Sequence, residues 1–381
     1  MIYFDNAATT FPKPSSVSQA IDEAVRIYGG NPGRSGHALS MKTAEHIYQI
    51  RSRAAKMFGV EVENLVFTSN CTSALNMAIK GYPWKRGQVI TSNLEHNAVS
   101  RPVYSLARRG IFHWEIAKVH AYSQTEMLSS FLKHFRKGTR AVICTHASNV
   151  TGEILPIRKL AKLCHARGAI LIVDAAQTAG LLPISIRDDE VDIICAAGHK
   201  GLYGPTGTGI MAVAPHIHLK TIWEGGTGSN SKELTQPPFP PDRFEAGTIN
   251  TVGICGLGAG IDFVQKQGID AIYQHEMQLS EFVFRSLQEI KKIKLYNHHF
   301  ASGTHVPVIS FNIDGMTSME TGELLNRKGF ALRSGLHCSP MAHRAIGSIE
   351  EGTVRFCPSI FNTMEQIKEF LLAIEEIVSF K

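Results

Sequence analysis

Short, continuous apolar runs separated by segments of helical spacing constrain the fold of this chain more than any other feature. The runs occupy residues 65–68, 89–91, 141–144, 170–174 and 193–196. Helical spacing is seen between them, at 72–80, 96–108 and 157–166. Strands that are apolar at nearly every position are buried on both faces of a sheet. Their alternation with helices therefore predicts an α/β fold with a parallel sheet covered by helices on both sides.

The remaining segments suggest how the chain divides into domains. Apolar spacing predicts further helices at 15–28, 41–58, 256–267, 274–290, 320–328 and 364–377, and further strands at 308–312 and 353–356. The proline-rich segment 237–241 must be a loop because proline cannot continue either kind of element. We expect a large domain of residues 15–259 and a small domain formed by residues 1–14 and 260–381.

Composition excludes several classes of protein. The formal net charge is +6 without a lysine- or arginine-rich run, so we expect no nucleic-acid partner. No apolar stretch approaches the roughly 20 residues that span a bilayer, and the N-terminus lacks a basic segment followed by an apolar core. The seven cysteines are scattered and form no CxxC pair, which argues against disulfides and a zinc site. We therefore predict a cytoplasmic protein without a metal and without a membrane contact.

Lys200 is the first candidate for chemistry. It follows the apolar run 193–197 and lies in a loop rich in glycine. A lysine at the end of a buried strand is partly removed from water, which lowers its pKa and makes its amine a nucleophile. A solvated loop lysine is the commoner case for any such residue, so the assignment depends on the residues around it.

Other polar residues follow the remaining apolar runs. In an open α/β sheet ligands gather at the carboxyl ends of the strands. This chain places there Cys71, Thr72, His96, Asn149, Asp174, Gln177 and His199. Each has an ordinary structural explanation when taken alone. Together with Lys200 they supply a helix start for phosphate, an imidazole, an amide, a carboxylate and an amine, which is the set that pyridoxal phosphate needs.

At this point the sequence resembles the class V aminotransferase-like family of pyridoxal-phosphate enzymes, and within it the cysteine desulfurases and selenocysteine lyases. The similar motifs are residues 3–10 (YFDNAATT), 95–97 (EHN), 148–152 (SNVTG), 173–177 (VDAAQ), 198–200 (GHK), 244–248 (FEAGT) and 333–338 (RSGLHC). The resemblance implies an aspartate-aminotransferase-like fold (fold type I), with a mostly parallel seven-stranded sheet in the large domain and a smaller α+β domain.

The resemblance also implies roles around pyridoxal 5′-phosphate. Lys200 would hold the cofactor covalently, Asp174 would pair with the ring nitrogen, and Gln177 with the ring hydroxyl. His96 would stack on the ring and move a proton. Asn149 would lie near the ring hydroxyl and the substrate carboxylate.

Further residues would bind the phosphate and the substrate. Thr72, His199 and the backbone of Cys71 would contact the phosphate. Thr248 would reach the phosphate of a partner subunit, which implies a homodimer with a shared active site. The substrate side would be formed by Arg355, as a bidentate clamp on the carboxylate, with Arg34 and Arg333 at the entrance.

Cys338 distinguishes the possible activities. A free cysteine is most often a small buried thiol, but Cys338 lies in a polar loop five residues after Arg333, where a thiolate is favoured. We therefore predict an L-cysteine desulfurase that gives L-alanine and a persulfide on Cys338. A sulfur-acceptor protein, for example one in iron–sulfur cluster assembly, would then take the sulfur. The alternatives are a selenocysteine lyase, a cysteine sulfinate desulfinase, a related aminotransferase or epimerase that leaves Cys338 idle, and a binding protein without activity.

Overall fold

A computed structural model of the protein describes residues 1–33, 36–120 and 123–379. The strands are β1 (Ile2–Tyr3), β2 (Leu65–Thr68), β3 (Gln88–Ser92), β4 (His113–Ala117), β5 (Thr139–Thr145), β6 (Ile170–Asp174), β7 (Ile193–Ala197), β8 (Gly209–Val213), β9 (Ile293–Leu295), β10 (Ile309–Ile313), β11 (Phe330–Ala331), β12 (Arg333–Gly335) and β13 (Thr353–Phe356). The helices are α1 (Ser15–Ile27), α2 (Ala38–Phe58), α3 (Cys71–Gly81), α4 (Asn97–Arg108), α5 (Gln124–His134), α6 (Ile157–His165), α7 (Ile186–Asp189), α8 (Thr251–Gln267), α9 (Ile269–Glu289), α10 (Ser318–Arg327), α11 (Pro340–Ala345) and α12 (Met364–Ser379).

The central sheet has seven strands in the order β2-β8-β7-β6-β5-β3-β4. Only β8 runs against the others, since it is antiparallel to both of its neighbours. The remaining pairs are parallel. The prediction of a mostly parallel seven-stranded sheet is therefore confirmed.

Alternation along the inner strands explains why the sheet is covered on both faces. In β6, Leu171 and Val173 belong to one apolar cluster, whereas Ile172 between them belongs to a second. In β7, Ile194 faces the first cluster and Ile193 the second. Successive side chains of a strand point to opposite faces, so a continuous apolar run is what a doubly covered sheet requires.

Several element bounds differ from the sequence-based expectations. Helix α2 begins at Ala38 rather than at residue 41, because the His37 side chain accepts a hydrogen bond from the Ser40 amide and caps the helix. Strands β4 and β8 and helix α5 had no counterpart among the predicted elements. The proline-rich segment 237–241 is a loop as predicted, within a stretch from 214 to 250 that has neither helix nor strand.

The N-terminus packs with the C-terminal part of the chain. Strand β1 pairs with β11, and a four-stranded antiparallel sheet has the order β12-β13-β10-β9. Phe4 is buried in one cluster with Phe311, Phe356 and Phe370. This packing brings residues 5–8 close to the carboxyl ends of the central strands. The domain boundaries at 14/15 and 259/260 remain a prediction. Across the described ranges, no helix combines the length and apolar character needed to cross a membrane.

Candidate active site

A cavity of about 200 Å³ lies at the carboxyl ends of β5, β6 and β7. The sequence-predicted residues that line it are Cys71, Thr72, His96, Asn149, Asp174, Gln177, His199, Lys200, Arg333 and Arg355. Ala7 and Ala8 of the N-terminal segment complete part of the wall. The fold thus brings to one place residues that are distant in sequence.

Lys200 lies three residues beyond the end of β7. Burial lowers the pKa of its ammonium group, and the positive charge of Arg355 lowers it further. Asp174 opposes this effect because its negative charge favours the protonated amine. The lowered pKa makes the neutral amine easier to form than on a solvated lysine.

Asp174 is the last residue of β6 and is 3% exposed. Its Oδ1 accepts hydrogen bonds from the Ala176 amide at 2.9 Å and from the Cys71 thiol at 3.4 Å. Burial raises the pKa of Cys71 well above its usual range, and the charge of Asp174 raises it further. Cys71, expected to contribute only its backbone, therefore also presents a protonated side chain to the carboxylate.

His96 caps the N-terminus of α4, because its Nδ1 accepts a hydrogen bond from the Ala98 amide at 3.0 Å. Burial lowers its pKa to about 4. The ring is then neutral at pH 7, and the bond at Nδ1 assigns its proton to Nε2. The adjacent Glu95 is fully buried and accepts from the Thr145 amide at 2.9 Å, which joins the ends of β3 and β5.

The predicted phosphate site consists of the start of α3 and His199. Asn70 caps this 11-residue helix by accepting from the Ser73 amide at 2.8 Å, and Thr72 lies in its first turn. The Nδ1 atom of His199 is buried without a hydrogen-bond partner among the described residues. Burial lowers the pKa of His199 to about 4, so this nitrogen belongs to a neutral ring. Free amides at a helix start and an unpaired imidazole nitrogen suit an anion with hydrogen-bonding oxygens.

Arg355 is 1% exposed and lies in β13, opposite Arg333 of β12. Its Nη2 contacts Asp5 Oδ1 at 2.8 Å, and its Nη1 donates to the Asn149 carbonyl at 3.1 Å. Its Nε is buried with no partner within the described ranges. Asp5 was not among the predicted site residues, although it belongs to the N-terminal motif 3–10 that could have indicated it.

Cys338 does not line this cavity but lies beside it. It is exposed, whereas the other six cysteines, all in the described part of the chain, are buried. It borders an open pocket of about 360 Å³, and that pocket shares Thr72, His96 and Ala98 with the Lys200 cavity. The guanidinium of Arg333 donates to its Sγ at 3.7 Å. The thiol is thus accessible at the rim of the cavity.

Asn149 and Gln177 line the cavity with side chains that already have partners. Asn149 Nδ2 donates to the His337 carbonyl at 2.8 Å, and its Oδ1 accepts from the Ser339 hydroxyl at 2.7 Å. Gln177 Nε2 donates to the Ala7 carbonyl at 3.0 Å. Ser339 was not predicted as a site residue. Its position next to Cys338 could have indicated it.

The other predicted residues lie elsewhere. Thr248 lines a separate cavity of about 460 Å³ together with Trp223 and Phe244, so one chain does not bring it to Lys200. Arg34 lies outside the described residues. No three His, Cys, Asp or Glu side chains converge to hold a metal ion in the ranges that the structure describes.

Comparisons with known proteins identify the family of this chain. Residues 2–370 match the aminotransferase class-V family. A probable cysteine desulfurase of Pyrococcus abyssi is 31% identical over 99% of this chain and 94% of its own length. A solved apo structure of a cysteine desulfurase from Thermococcus onnurineus NA1 is 30% identical and has a TM-score of 0.91. The match covers 100% of this chain and 95% of that one.

A more distant solved structure agrees in fold. A cysteine desulfurase of Escherichia coli is 23% identical and has a TM-score of 0.85 over 99% of this chain and 94% of that one. At this identity the likeness concerns the fold alone. From the family match and the relatives at 30% and 31% identity, the chain belongs to the class V aminotransferase family and, within it, to the cysteine desulfurases.

Proposed function

We propose that this protein is an L-cysteine desulfurase that uses pyridoxal 5′-phosphate. The observation that carries the proposal is the adjacency of the two reactive groups. Lys200 lines the cavity, Cys338 lies in the neighbouring pocket, and Thr72, His96 and Ala98 line both. In L-cysteine the α carbon, which loses a proton, is next to the β carbon, which carries the sulfur. A base and a sulfur-accepting thiol therefore need to lie close together, as Lys200 and Cys338 do.

The residues of the cavity fit pyridoxal phosphate. Lys200 would hold it covalently, Asp174 would pair with the ring nitrogen, and Gln177 would lie near the ring hydroxyl. Thr72, the Cys71 backbone and the unpaired Nδ1 of His199 would take the phosphate. When bound, the cofactor supplies an electron sink for the charge that develops at the substrate α carbon.

Arg355 would bind the carboxylate of L-cysteine. Its unpaired Nε is buried, and Asp5 and the Asn149 carbonyl hold its two Nη atoms. A guanidinium fixed in this manner presents a donor in a defined direction, which orients the substrate. Arg333 and Arg34 would add positive charge at the entrance.

The amine of L-cysteine would first replace Lys200 at the cofactor. The freed Lys200 Nζ would then take the proton from the substrate α carbon as a general base, which its lowered pKa favours. His96 is neutral and lines the same cavity, and its Nε2 would move a proton there.

Cys338 would receive the sulfur. Its thiolate attacks the substrate sulfur, a sulfur–sulfur bond forms, and the carbon–sulfur bond breaks. The electron pair of the broken bond stays with the carbon skeleton, which gains a proton and leaves as L-alanine. The sum is L-cysteine plus the Cys338 thiol giving L-alanine plus the Cys338 persulfide, which an acceptor protein would then discharge.

Thr248 would act in a homodimer, by contacting the phosphate held in the partner subunit. Its position in a cavity separate from that of Lys200 supports this arrangement.

A cytoplasmic location is supported by the seven unpaired cysteines.

Mass spectrometry of Cys338 after incubation with L-cysteine tests the proposal. We expect a gain of one sulfur atom on Cys338 and an equal amount of L-alanine. Cys338→Ser should lose both, whereas Cys255→Ser, which changes a buried cysteine outside the cavity, should retain them. If Cys338→Ser still degrades selenocysteine or cysteine sulfinate at the wild-type rate, one of those activities replaces the proposal. Full retention of cysteine desulfuration would contradict it.

A further inference from the structure

The connection that carries Cys338 has an unfavourable backbone conformation. It joins β12 to α11 through residues 336–339. His337 and Cys338 have φ angles of 48° and 58°, which is the left-handed region. Two consecutive residues with a Cβ atom rarely adopt this conformation, and they keep it only where the surrounding structure holds them.

Asn149 and Ser339 form the first part of that support. The Asn149 amide donates from Nδ2 to the His337 carbonyl, just before Cys338. Its Oδ1 accepts from the Ser339 hydroxyl, just after Cys338. Ser339 is fully buried and Asn149 is 7% exposed, so water does not replace these bonds readily. The Asn149 side chain thus contacts both the residue before Cys338 and the residue after it.

A second contact fixes the residue between them. The Cys338 carbonyl accepts from the Asn97 amide at 2.8 Å, in the first turn of α4 beside His96. His337 is anchored in turn, because its Nε2 lies 3.0 Å from the Thr353 carbonyl. Backbone groups before, at and after the thiol are therefore tied to elements that also build the cavity.

We propose that Ser339 is a positioning residue for the nucleophile. Its hydroxyl orients the Asn149 amide, and the pair holds Cys338 in the left-handed conformation that directs its sulfur to the rim of the cavity. This inference rests on the proposed role of Cys338. Without the Ser339 hydroxyl, the connection relaxes toward ordinary backbone angles and the sulfur leaves the line of attack.

The Ser339→Ala variant of the cofactor-loaded protein tests this in two ways. Hydrogen exchange measured by mass spectrometry on peptides covering 95–99 and 336–343 should become at least about tenfold faster, because the Asn97 amide loses a steady acceptor. The kcat for cysteine desulfuration should fall about 10- to 100-fold, as expected when a reacting group is misplaced by about 1 Å. Deuterium incorporation at the α carbon of L-alanine, which needs Lys200 but not Cys338, should stay within about twofold of wild type.

Two further variants serve as controls. Ser280→Ala removes another fully buried hydroxyl, one that has no hydrogen-bond partner among the described residues, and should change none of the three readouts. Ser339→Thr keeps a hydroxyl and should restore slow exchange in peptide 95–99. If Ser339→Ala folds poorly, Asn149→Ala removes the same bond together with the bond to the His337 carbonyl, and should accelerate exchange in peptide 336–343 at least as much.

The outcomes separate this inference from the proposed function. Unchanged exchange and unchanged desulfuration in Ser339→Ala would overturn the inference. An equal fall of desulfuration and of α-deuteration would also overturn it, because the serine would then support the whole site. If wild-type protein forms no persulfide on Cys338, the proposed function fails, and faster exchange in Ser339→Ala would still establish the contact.

Discussion

The two residues proposed to react lie in adjoining pockets but belong to regions of opposite character. Lys200 follows a strand in the middle of the central sheet and is surrounded by groups whose charges shift its pKa. Cys338 lies in a short connection of the C-terminal region and is exposed. Its position is held by the hydrogen bond from the Asn97 amide and by the bonds that Asn149 makes with the residues on either side.

The difference fits the roles proposed for the two groups. A base that takes a proton from carbon gains from desolvation, because a lowered pKa supplies neutral amine. A thiol that must pass sulfur to another protein has to remain accessible, so burial cannot position it. Desolvation thus lowers the pKa of Lys200, whereas hydrogen bonds to the connection place Cys338.

The largest expected effect separates the two regions by function. Lys200→Ala should lower α-deuteration of L-alanine by about 10²- to 10⁴-fold, which is what a positioned general base contributes. Alkylation of Cys338 by iodoacetamide should keep its wild-type rate, as measured by mass spectrometry. Lys232→Ala, in an exposed loop, should affect neither. A comparable fall in alkylation would show that the two regions do not act independently.

The second prediction concerns Arg355 of the C-terminal region, which bonds to Asp5 of the N-terminal segment and to the Asn149 carbonyl beyond β5 of the central sheet. Asp5→Ala leaves a charge that is 1% exposed without its anionic partner. The free energy of unfolding should fall by about 3 kcal/mol, within the range for breaking a buried pair. Urea denaturation measures it, with the exposed Asp314→Ala as control. A change below about 0.5 kcal/mol would mean that solvent reaches Arg355.

The smallest effect concerns acid, which acts on the buried neutral groups of the Lys200 region. His146 follows β5, bonds to the Thr178 hydroxyl at 3.0 Å, and has a pKa that burial lowers to about 4. Between about pH 6.5 and 4 the unfolded chain binds a proton at His146 that the folded protein does not, so stability falls as pH falls through this window.

This contribution of His146 amounts to about 2 kcal/mol between pH 7 and pH 5. Between pH 7 and pH 5 the free energy of unfolding of His146→Gln should therefore fall by about 2 kcal/mol less than that of wild type. Urea denaturation at the two pH values measures this difference. His113→Gln, whose side chain is 64% exposed, should behave as wild type. Equal slopes in wild type and His146→Gln would show that this histidine is protonated in the folded protein.

The sequence predicted the parts of the fold that are buried on both faces. Runs such as Ile170–Asp174 are apolar throughout and needed no tertiary information. Strand β4 lies at the sheet edge with partly exposed residues, so its composition does not mark it as a strand. Strand β8 follows closely spaced glycines that indicate a loop, and only its pairing with β2 and β7 makes it a strand.

The site was predictable where a residue follows a strand and unpredictable where two distant segments meet. Asp174 and Lys200 each come at or soon after a strand end, and the order of strands brings them together. The bond between Ser339 and Asn149 joins residues 190 apart, and no local pattern specifies it. The same holds for the thiol of Cys71 and the carboxylate of Asp174, 103 residues apart.

The contact between Asp5 and Arg355 has a consequence for biosynthesis. Its two residues are separated by 350 positions, and Asn6 bonds to the Cys357 carbonyl across 351. At roughly 5–20 residues per second, a ribosome needs about 18 to 70 seconds to make that interval. The proposed substrate end of the cavity therefore cannot form while most of the chain is being translated. A stalled product that lacks the segment around Arg355 could fold much of its central sheet and would still lack the proposed carboxylate clamp.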